Sequence, residues 1–570
     1  MLRGLKRGFG LAGFVCLLHA GTDDRLLVPG PPGKPGGRLV AAQRLEPKTL
    51  NWVIADDGGS REVLTRLMSD LIHINRQTLQ VEPALAKSWK ASSDNLHWIL
   101  SLREGVQFSD GHPFDADDVI FTFRAILDET VHSPQRDLLM IGDKPVAVRK
   151  VDAHTVAFDF SQAYSVPERM FDGIWILPRH KLEAAWKAGK LNEAWGLQTR
   201  ASDIVGLGPF RFREYTPGQH ITLERNPYYW KRDSNGTQLP YLAEVTFLFA
   251  GTEDTQVMRF QTGDSDVISR LGGRNYALLA KDQEKLGYEV RSAGPGLEYT
   301  FLVFNLTGNR APVLMRKSFR QAVSAAIDRD AMVKIAYAGR AVPIPVPVPA
   351  GNSLWVDKSI PAPVRSVDRA RQILSGDGFK WARDGTLMDP SGKAVTFSIL
   401  ASNNSQERQQ MAAIIQDDLK QIGMKVDIVP MEMKSIQERV QGTHEFDSAL
   451  FALGSADADP NPDMPVWLSS GGSHFWNPKQ AKPATDWEAE IDRLMRQQIA
   501  THDYARRKRM FDRVQEIVAD QQPMIGLLTP YVLVGARKDL ANFRPAILEP
   551  TTLWNIEQLY WRSPQPGAPK

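Results

Sequence analysis

One segment of the sequence, residues 395–428, constrains the fold more strongly than any other. Residues 395–399 alternate apolar and polar side chains as a half-buried strand does, and residues 424–428 repeat that alternation. Between them, apolar residues recur at helical spacing, and Gly423 ends the helix that this spacing predicts. The apolar positions of that helix are Met411, Ile415, Leu419 and Ile422. Because a right-handed crossover through a helix joins parallel strands, the segment predicts an α/β protein.

Two polar loops follow predicted strands of this sheet. In open α/β sheets, ligands bind outside the carboxyl ends of the strands. Residues 401–405, Ala-Ser-Asn-Asn-Ser, follow the first strand, and a further predicted strand at 446–453 runs into the polar residues 454–460. Such residues are also common in surface turns, so this pattern alone leaves both interpretations open.

The overall charge limits the classes of partner. The chain has 69 Lys and Arg residues and 66 Asp and Glu residues, which gives a net charge of +3. A balance this even provides no basis for a polyanion-binding surface, so we expect no nucleic-acid partner. The 570 residues, at roughly 150 per domain, are enough for three or four domains.

The first 20 residues are typical of a secretory signal. Arg3, Lys6 and Arg7 precede an apolar stretch at 9–18, which is shorter than the roughly 20 residues that a membrane span needs. We therefore expect export, and a mature protein that is periplasmic or extracellular. The one cysteine, Cys16, lies in this segment, so no intrachain disulfide is expected. A lipid on Cys16 is the alternative, but the residues before it fit that signal poorly and simple export is favoured.

Two helix starts carry capping signals. Ser60 is placed to cap a helix with an apolar face in residues 63–71, and Asp115 is placed to cap a second helix. Asp117 and Asp118 then lie in the positive first turn of that second helix. The three aspartates also suggest calcium, but the glycine and terminal glutamate of an EF-hand loop are missing from their required positions. Helix capping is therefore favoured.

Motifs of common enzyme classes are missing from the sequence. It lacks a Gly-x-Ser-x-Gly elbow, a P-loop, a complete dinucleotide-binding glycine pattern and a His-Glu-x-x-His metal helix. We therefore predict no catalytic residues, no metal and no cofactor. A secreted hydrolase stays open as an alternative, because paired catalytic carboxylates leave no reliable trace in a sequence.

Four motifs, in order along the chain, resemble those of one protein family. Residues 102–119, Leu-Arg-Glu-Gly-Val-Gln-Phe-Ser-Asp-Gly-His-Pro-Phe-Asp-Ala-Asp-Asp-Val, closely resemble the signature of the family 5 extracellular solute-binding proteins of ABC importers. The other three motifs lie at 206–210, 223–230 and 316–329. The resemblance extends over residues 38–561, and peptide-binding proteins are the best-known members of that family.

The resemblance implies a periplasmic-binding-protein-like fold of two lobes with an additional inserted subdomain, and a ligand cleft between the lobes. By this analogy the first lobe comprises residues 38–57, 196–297 and 529–562, the inserted subdomain residues 58–195, and the second lobe residues 298–528. A signal peptide (1–20), a Pro/Gly-rich spacer (21–37) and a tail (563–570) complete the division. Alternating Pro and apolar residues at 343–349 predict an extended surface segment of the second lobe.

The resemblance also implies a transport function. Solute would enter an open cleft, contacts from both lobes would stabilise the closed form, and a membrane permease of an ABC transporter would recognise that form. We expect a monomer that binds a small solute and catalyses no reaction. An oligopeptide is the favoured solute. An oligosaccharide is the alternative, since sugars need polar loops and aromatic platforms rather than an ammonium-binding carboxylate.

Peptide-binding relatives hold the α-amino group of the peptide with an aspartate that follows a strand and precedes an Asp-Pro pair. Aligned on Asp459 and Pro460, that aspartate falls on Ala456, and Asp457 takes the place of an aromatic residue. A shift of the loop by one residue would let Asp457 serve instead. Trp476 with Trp52 is a candidate aromatic platform, although a tryptophan is more often part of a core. The predicted ligand contacts are Asp56, Asp57, Asn403, Asn404, Gly454, Ser455, Asp457 and Trp476.

Overall fold

The computed structural model describes residues 24–141, 144–455 and 457–563. The predicted signal segment with Cys16, Ala456, and residues 564–570 of the predicted tail lie outside the described residues. The described chain mixes helices and strands, which confirms the predicted α/β class. Over the same residues, no helix is both long and apolar enough to cross a membrane.

The predicted strand, helix and strand unit is confirmed. Thr396–Ser402 and Lys425–Met431 form a parallel pair, and the helix Gln406–Lys420 connects them. Gly423, just after the helix, has a φ of +84°, and a Cβ there would lie 2.3 Å from the carbonyl oxygen of Gly385. A residue with a side chain would fit neither that backbone conformation nor that close approach.

One large mixed sheet runs through the molecule. Its neighbouring strands are, in order, Phe210–Thr216, His220–Arg225, Glu244–Phe249, Arg38–Gln43, Val267–Ile268, Met524–Arg537, Glu298–Phe304, Ser448–Gly454, Thr396–Ser402 and Lys425–Met431. Tyr288–Pro295 and Ala341–Pro343 also pair with Met524–Arg537. We call this 14-residue strand, Met524–Arg537, the crossing strand, because it pairs with strands in both halves of the sheet.

Most of the buried apolar side chains form two large clusters. One cluster draws its residues from 39–267 and 534–559, and the other draws them from 299–528. The crossing strand contributes its amino-terminal residues to the second cluster and its carboxyl-terminal residues to the first. The chain therefore passes twice between two separate cores.

We call residues 24–297 together with 529–563 the first lobe, and residues 298–528 the second lobe. The separation of the two clusters supports this division. The domain boundaries predicted above remain a proposal. The apolar residues of the proposed inserted subdomain, 58–195, belong to the same cluster as those of the surrounding first lobe.

The remaining strands form smaller sheets. A four-stranded antiparallel sheet contains, in order, Ala86–Ala91, His97–Leu102, Thr155–Asp159 and Ala147–Asp152. The two-stranded pairs are Leu26–Val28 with Lys231–Asp233, Ile72–Ile74 with Val81–Pro83, Met140–Ile141 with Lys144–Pro145, Lys380–Trp381 with Leu387–Met388, and Leu540–Ala541 with Tyr560–Trp561.

Helices cover the faces and ends of these sheets. In the first lobe the α-helices are Gly58–Leu67, Ala116–Leu127, Pro167–Asp172, Arg179–Lys187, Glu253–Thr262 and Gly273–Asp282. In the second lobe they are Lys317–Ala326, Arg329–Ala336, Val367–Gly376, Gln406–Lys420, Met433–Gln437, Met464–Trp467, Asp486–Ile499 and Tyr504–Gln521.

One of the two predicted helix caps is confirmed and the other is wrong. Asp115 caps Ala116–Leu127, with its carboxylate accepting a hydrogen bond from the backbone N–H of Asp117 at 2.8 Å. The helix Gly58–Leu67, however, is capped by Asp57 rather than by Ser60. Asp57 accepts hydrogen bonds from the backbone N–H of Ser60 at 2.9 Å and from its hydroxyl at 2.7 Å. Because one carboxylate can accept both hydrogen bonds, capping by Asp57 favours a helix that begins at Gly58 instead of after Ser60.

Two proline-rich segments pack more closely than the sequence suggests. Residues 343–349 are largely buried, so the predicted surface position is wrong, and their aliphatic side chains are at most 4% exposed. Gly526 of the crossing strand explains this, because an added Cβ would lie only 2.7 Å from the backbone of Val346. Within the predicted spacer, Leu26–Val28 pairs with a first-lobe strand, Lys231–Asp233.

Candidate functional site

A polar loop follows the strand Ser448–Gly454 at the boundary of the two lobes. We call Ser455 and residues 457–463 the aspartate loop, because three aspartates lie within it. The backbone N–H of Ser455 donates to the carbonyl oxygen of Leu297 at 2.9 Å, where the chain passes from the first lobe to the second. The three aspartates are Asp457, Asp459 and Asp463.

Asp457 forms an ion pair across the boundary. Its Oδ1 accepts a hydrogen bond from Nη1 of Arg169, on the first-lobe helix Pro167–Asp172, and another from the N–H of Ala458 at 2.6 Å. The Arg169 and Asp457 side chains are only 12% and 14% exposed. Burial raises the pKa of the Asp457 carboxyl to about 6, although the Arg169 charge opposes that rise.

Asp459 is paired within the second lobe. Its two oxygens accept hydrogen bonds from the Arg507 guanidinium at 2.7 and 2.9 Å, and each of these side chains is 2% exposed. Arg507 also donates to Gln498 at 2.9 Å and to Asn461 at 3.1 Å. This two-pronged pair fixes the middle of the aspartate loop to the helix Tyr504–Gln521.

Asp463 is not paired with a cation among the residues that the structure describes. Its carboxylate accepts one hydrogen bond, from the Ser455 hydroxyl at 3.3 Å, and that hydroxyl lies closer, at 2.7 Å, to the carbonyl oxygen of Asp457. Burial, with the nearby charges of Asp457 and Asp459, raises the pKa of Asp463 to about 7. Tyr299 is fully buried, and in the described chain its hydroxyl has no hydrogen-bond partner. The site thus retains unused hydrogen-bond acceptors.

Further contacts join the lobes around the aspartate loop. First-lobe Ser165 donates its N–H to the carbonyl oxygen of Ile499 at 2.8 Å, and its hydroxyl accepts a hydrogen bond from Asn461 at 3.1 Å. A crevice of about 330 Å³ nearby is lined by residues 93–95 of the first lobe and 500–503 of the second. An apolar cluster also spans the boundary and includes Ile74, Leu79, Leu297, Leu354, Ala458 and Leu548. The lobes are therefore in direct contact at the loop.

Asn403 and Asn404 lie at the same edge of the sheet but apart from the aspartate loop. The strand before them and the strand before that loop are parallel neighbours, with Leu400 opposite Ala449. In this register the second strand extends three residues, roughly 10 Å, beyond the first. Both asparagines are exposed, and Asn404 donates to Glu432 at 2.6 Å. The role of Asn403 and Asn404 as ligand contacts stays a prediction.

The predicted residues of the first lobe also lie away from the aspartate loop. Both carboxylate oxygens of Asp57 are used to cap the helix that follows it. Asp56 is exposed. Within the described chain, no hydrogen bond or ion pair connects either aspartate to the aspartate loop. Of the predicted contacts, the structure therefore brings together only Gly454, Ser455 and Asp457.

The two candidate platform tryptophans are core residues. Trp476 is fully buried, donates its indole N–H to Glu488 at 2.9 Å and packs against His474 with ring centroids 3.7 Å apart. Trp52 is 2% exposed and donates its indole N–H to the carbonyl oxygen of Trp175 at 2.7 Å. Neither ring has an open face for a ligand in this structure.

One other cluster of side chains has the composition of a metal site. One ligand atom from each of Asp70, His73 and Asp172 lies within 4.8 Å of the others. A cation is already present there, because Nη1 of Arg76 lies 2.9 Å from the Asp172 carboxylate. His73 also hydrogen-bonds Asp70 at 3.0 Å. The cluster is therefore an ion-pair network, and we assign no metal to it.

Three residues at the lobe boundary were not predicted from the sequence: Arg169, Tyr299 and Asp463. Asp463 stands only three residues after Pro460 in the same polar loop, so loop composition offered a weak signal for it. Arg169 and Tyr299 reach the loop from elements more than 150 residues away, and no local pattern marks them.

Comparison with known proteins identifies a family and its members. The sequence model described as bacterial extracellular solute-binding proteins, family 5 Middle, matches residues 80–475. The chain is 27% identical over 516 residues to a Deinococcus radiodurans protein named probable ABC transporter-binding protein, and the match covers 86% of each. It is 24% identical over 536 residues to the oligopeptide-binding protein AppA of Bacillus subtilis, with 93% of this chain and 92% of AppA covered.

Two solved structures share the fold. AppA of Bacillus subtilis, in complex with a nonapeptide, superposes with a TM-score of 0.71 at 23% identity, covering 93% of this chain and 100% of that chain. The periplasmic binding protein MelB of Agrobacterium fabrum, in complex with stachyose, superposes with a TM-score of 0.71 at 22% identity, covering 93% and 86%. Likeness at this level of identity establishes the periplasmic-binding-protein fold.

Proposed function

Because the chain belongs to the bacterial extracellular solute-binding proteins of family 5, we propose that it captures a solute between its two lobes and delivers it to the membrane permease of an ABC importer. Closure on the solute would present both lobes to the permease in one arrangement. The solute leaves unchanged, so the proposed function is capture without catalysis. A relative named as an ABC transporter-binding protein supports this function.

An oligopeptide is the solute we propose. AppA is named an oligopeptide-binding protein and was solved with a nonapeptide. The observation in this chain that carries the proposal is the aspartate loop at the lobe boundary, in which Asp457 and Asp459 are paired with arginines and Asp463 has no cation among the described residues. A carboxylate without a cation suits the amino group of a peptide better than a neutral sugar. An oligosaccharide remains the second candidate, since MelB was solved with stachyose.

We propose that the mature protein acts outside the cytoplasm. The predicted signal in residues 1–20 is the sequence feature behind this proposed location. Intact mass of the protein recovered from its native host would test it, with loss of about 20 residues as the expected result. Cleavage before Cys16 with added acyl mass would instead establish the lipid-anchored form.

Binding of peptides should stabilise the purified protein. A ligand present at a hundred times its dissociation constant adds about 2.7 kcal/mol to the free energy of unfolding. We expect pools of short peptides to raise the melting temperature and oligosaccharides to leave it unchanged, as measured by differential scanning fluorimetry. Stabilisation by sugars alone would favour the second candidate. Mass spectrometry of the recovered peptides is the control, and hydrolysed peptides would favour the hydrolase alternative.

The ion pair between Arg169 and Asp457 should help to hold the lobes together without ligand. Replacing Arg169 with glutamine removes the charge that faces the buried Asp457 carboxylate, so the closed arrangement loses stability. We expect small-angle X-ray scattering at pH 7.5 to give a larger radius of gyration for ligand-free Arg169→Gln than for the wild type.

The control for this experiment is Arg149→Gln. Arg149 is 60% exposed and pairs with Asp159 inside the first lobe, so its loss leaves the boundary untouched. Equal radii of gyration for Arg169→Gln and Arg149→Gln would show that the boundary pair does not hold the lobes.

A further inference from the structure

The three carboxylates of the aspartate loop differ in their contacts. The inference that we draw from this difference rests on the proposed function. We propose that Asp463, rather than Asp457, binds the ammonium group of the ligand, with the Tyr299 hydroxyl as a second acceptor for its N–H groups. The ligand class that this site takes is a peptide or other solute with a free amino group.

The first argument is that the other two carboxylates already have cations. Asp457 pairs with Arg169 from the first lobe, and Asp459 accepts two hydrogen bonds from the buried Arg507. An ammonium at either position would have to displace a guanidinium. Asp463 is the member of the loop for which the described residues supply no cation, so a ligand can pair with it directly.

The second argument concerns hydrogen-bond donors. The hydroxyl of Ser455 has one hydrogen and two acceptors within reach, the carbonyl oxygen of Asp457 at 2.7 Å and the Asp463 carboxylate at 3.3 Å. The shorter contact favours the carbonyl. An ionised Asp463 is then left with almost no donors, and an ammonium supplies three.

The third argument is the Tyr299 hydroxyl. It is buried at the start of the strand Glu298–Phe304, and the described residues offer it no hydrogen bond. Tyr299 lies opposite Leu453, one residue before the end of the strand that leads into the aspartate loop. Burial raises its pKa well above the ordinary value, and the charge of Asp463 adds to this effect. A buried hydroxyl without a partner is uncommon and needs an explanation. A ligand N–H group at Asp463 would provide that partner.

Charge balance points in the same direction. The charges that act on Asp463 are those of Asp457 and Asp459 in its own loop, and these two carboxylates are paired with Arg169 and Arg507. With Asp463 ionised, the three carboxylates of the loop have two guanidinium partners, and one ammonium would pair with the third carboxylate. With no ligand bound, a proton on Asp463 removes this excess charge below about pH 7.

A pH dependence follows from this arrangement. The Asp463 carboxyl, with its pKa raised to about 7, is protonated below that pH in the free protein, and an ammonium pairs with the ionised form. Binding below pH 7 must therefore release this proton. Affinity for an amine-bearing peptide should rise about tenfold per pH unit up to about pH 7, and should level off until the amine itself loses its proton near pH 8.

The test compares two peptide pools that differ only at the amino terminus. One pool contains tripeptides to nonapeptides with free amino groups, and the other contains the same peptides acetylated. Calorimetry on the wild type should show weaker binding of the acetylated pool by about ten- to a hundredfold. Asp463→Asn should lose this difference between the pools and the dependence on pH. Tyr299→Phe, which removes only the hydroxyl, should reduce the difference.

The matched control is Asp457→Asn, which removes a carboxylate from the same loop. It should keep the preference for free amino groups. If Asp457→Asn loses the preference while Asp463→Asn keeps it, the assignment to Asp463 is overturned and the proposed function stands. If wild-type protein binds neither pool, the proposed peptide function fails, and this inference fails with it. Melting temperatures without ligand establish that each variant is folded.

Discussion

Replacement of Arg507 with methionine should lower the free energy of unfolding by about 3–5 kcal/mol. Arg507 and Asp459 are each 2% exposed and share two hydrogen bonds, so the substitution leaves a buried carboxylate without its cation. Asn461 and Gln498 lose the guanidinium donors as well. Because this pair fixes the aspartate loop, the variant should also bind the proposed ligand more weakly.

Urea denaturation followed by circular dichroism measures the first effect. The matched control is Arg513→Met on the same helix, Tyr504–Gln521. Arg513 is 50% exposed and its partner Glu490 is 34% exposed, so its removal should cost less than about 1 kcal/mol. A double substitution, Arg507→Met with Asp459→Leu, should recover much of the loss, since it removes both charges of this buried pair. Equal losses for Arg507→Met and Arg513→Met would contradict the argument.

Gly206→Ala should destabilise the first lobe by about 3 kcal/mol. A Cβ at this position would lie 1.9 Å from the carbonyl oxygen of Leu67, at the end of the helix Gly58–Leu67. The backbone cannot easily move away, because Ser109 donates to the Gly206 carbonyl oxygen at 2.9 Å, and Gly208 donates to the Leu67 carbonyl oxygen at 2.9 Å. The substitution must therefore break hydrogen bonds or displace the helix.

Gly196→Ala is the control for this prediction. An added Cβ there meets no atom within 4 Å, and its φ lies outside the left-handed region. The change in the free energy of unfolding should stay within about 1 kcal/mol, because no contact or backbone conformation opposes the methyl group. If the denaturation curves of the two variants coincide, the close approach at Gly206 does not affect the free energy of unfolding, and the prediction is wrong.

Local sequence patterns were sufficient to predict the elements whose structure depends on residues close together in the chain. The alternation and helical spacing in residues 395–428 predicted a parallel strand pair that is present in the structure. Asp115 could be identified as a cap because a cap acts on N–H groups only two or three residues away. The motif at 206–210 was one of the four that indicated the family, and the structure explains its glycines by their approach to Leu67.

The wrong predictions concern a choice between similar residues and positions that depend on tertiary packing. Ser60 was predicted to cap the first helix, but Asp57 also has a side chain that can cap, and the structure shows that Asp57 takes this role. Trp476 was a reasonable candidate for a platform, yet its fully buried position depends on packing against His474 and Glu488. Residues 343–349 were predicted at the surface because the close approach of Gly526 is set by a strand far away in the chain.

The sequence by itself determined the α/β class, the order of the strands and helices around residues 395–428, and the family. It also pointed to the polar loop at 454–460, because a loop after a strand of an open sheet is a local feature. Only the tertiary structure decided which carboxylate of that region has no cation among the residues that the structure describes. Arg169 lies 288 residues from Asp457, and Arg507 lies 48 residues from Asp459. Ion pairing depends on distances between chain segments that folding brings together, and no local pattern encodes those distances.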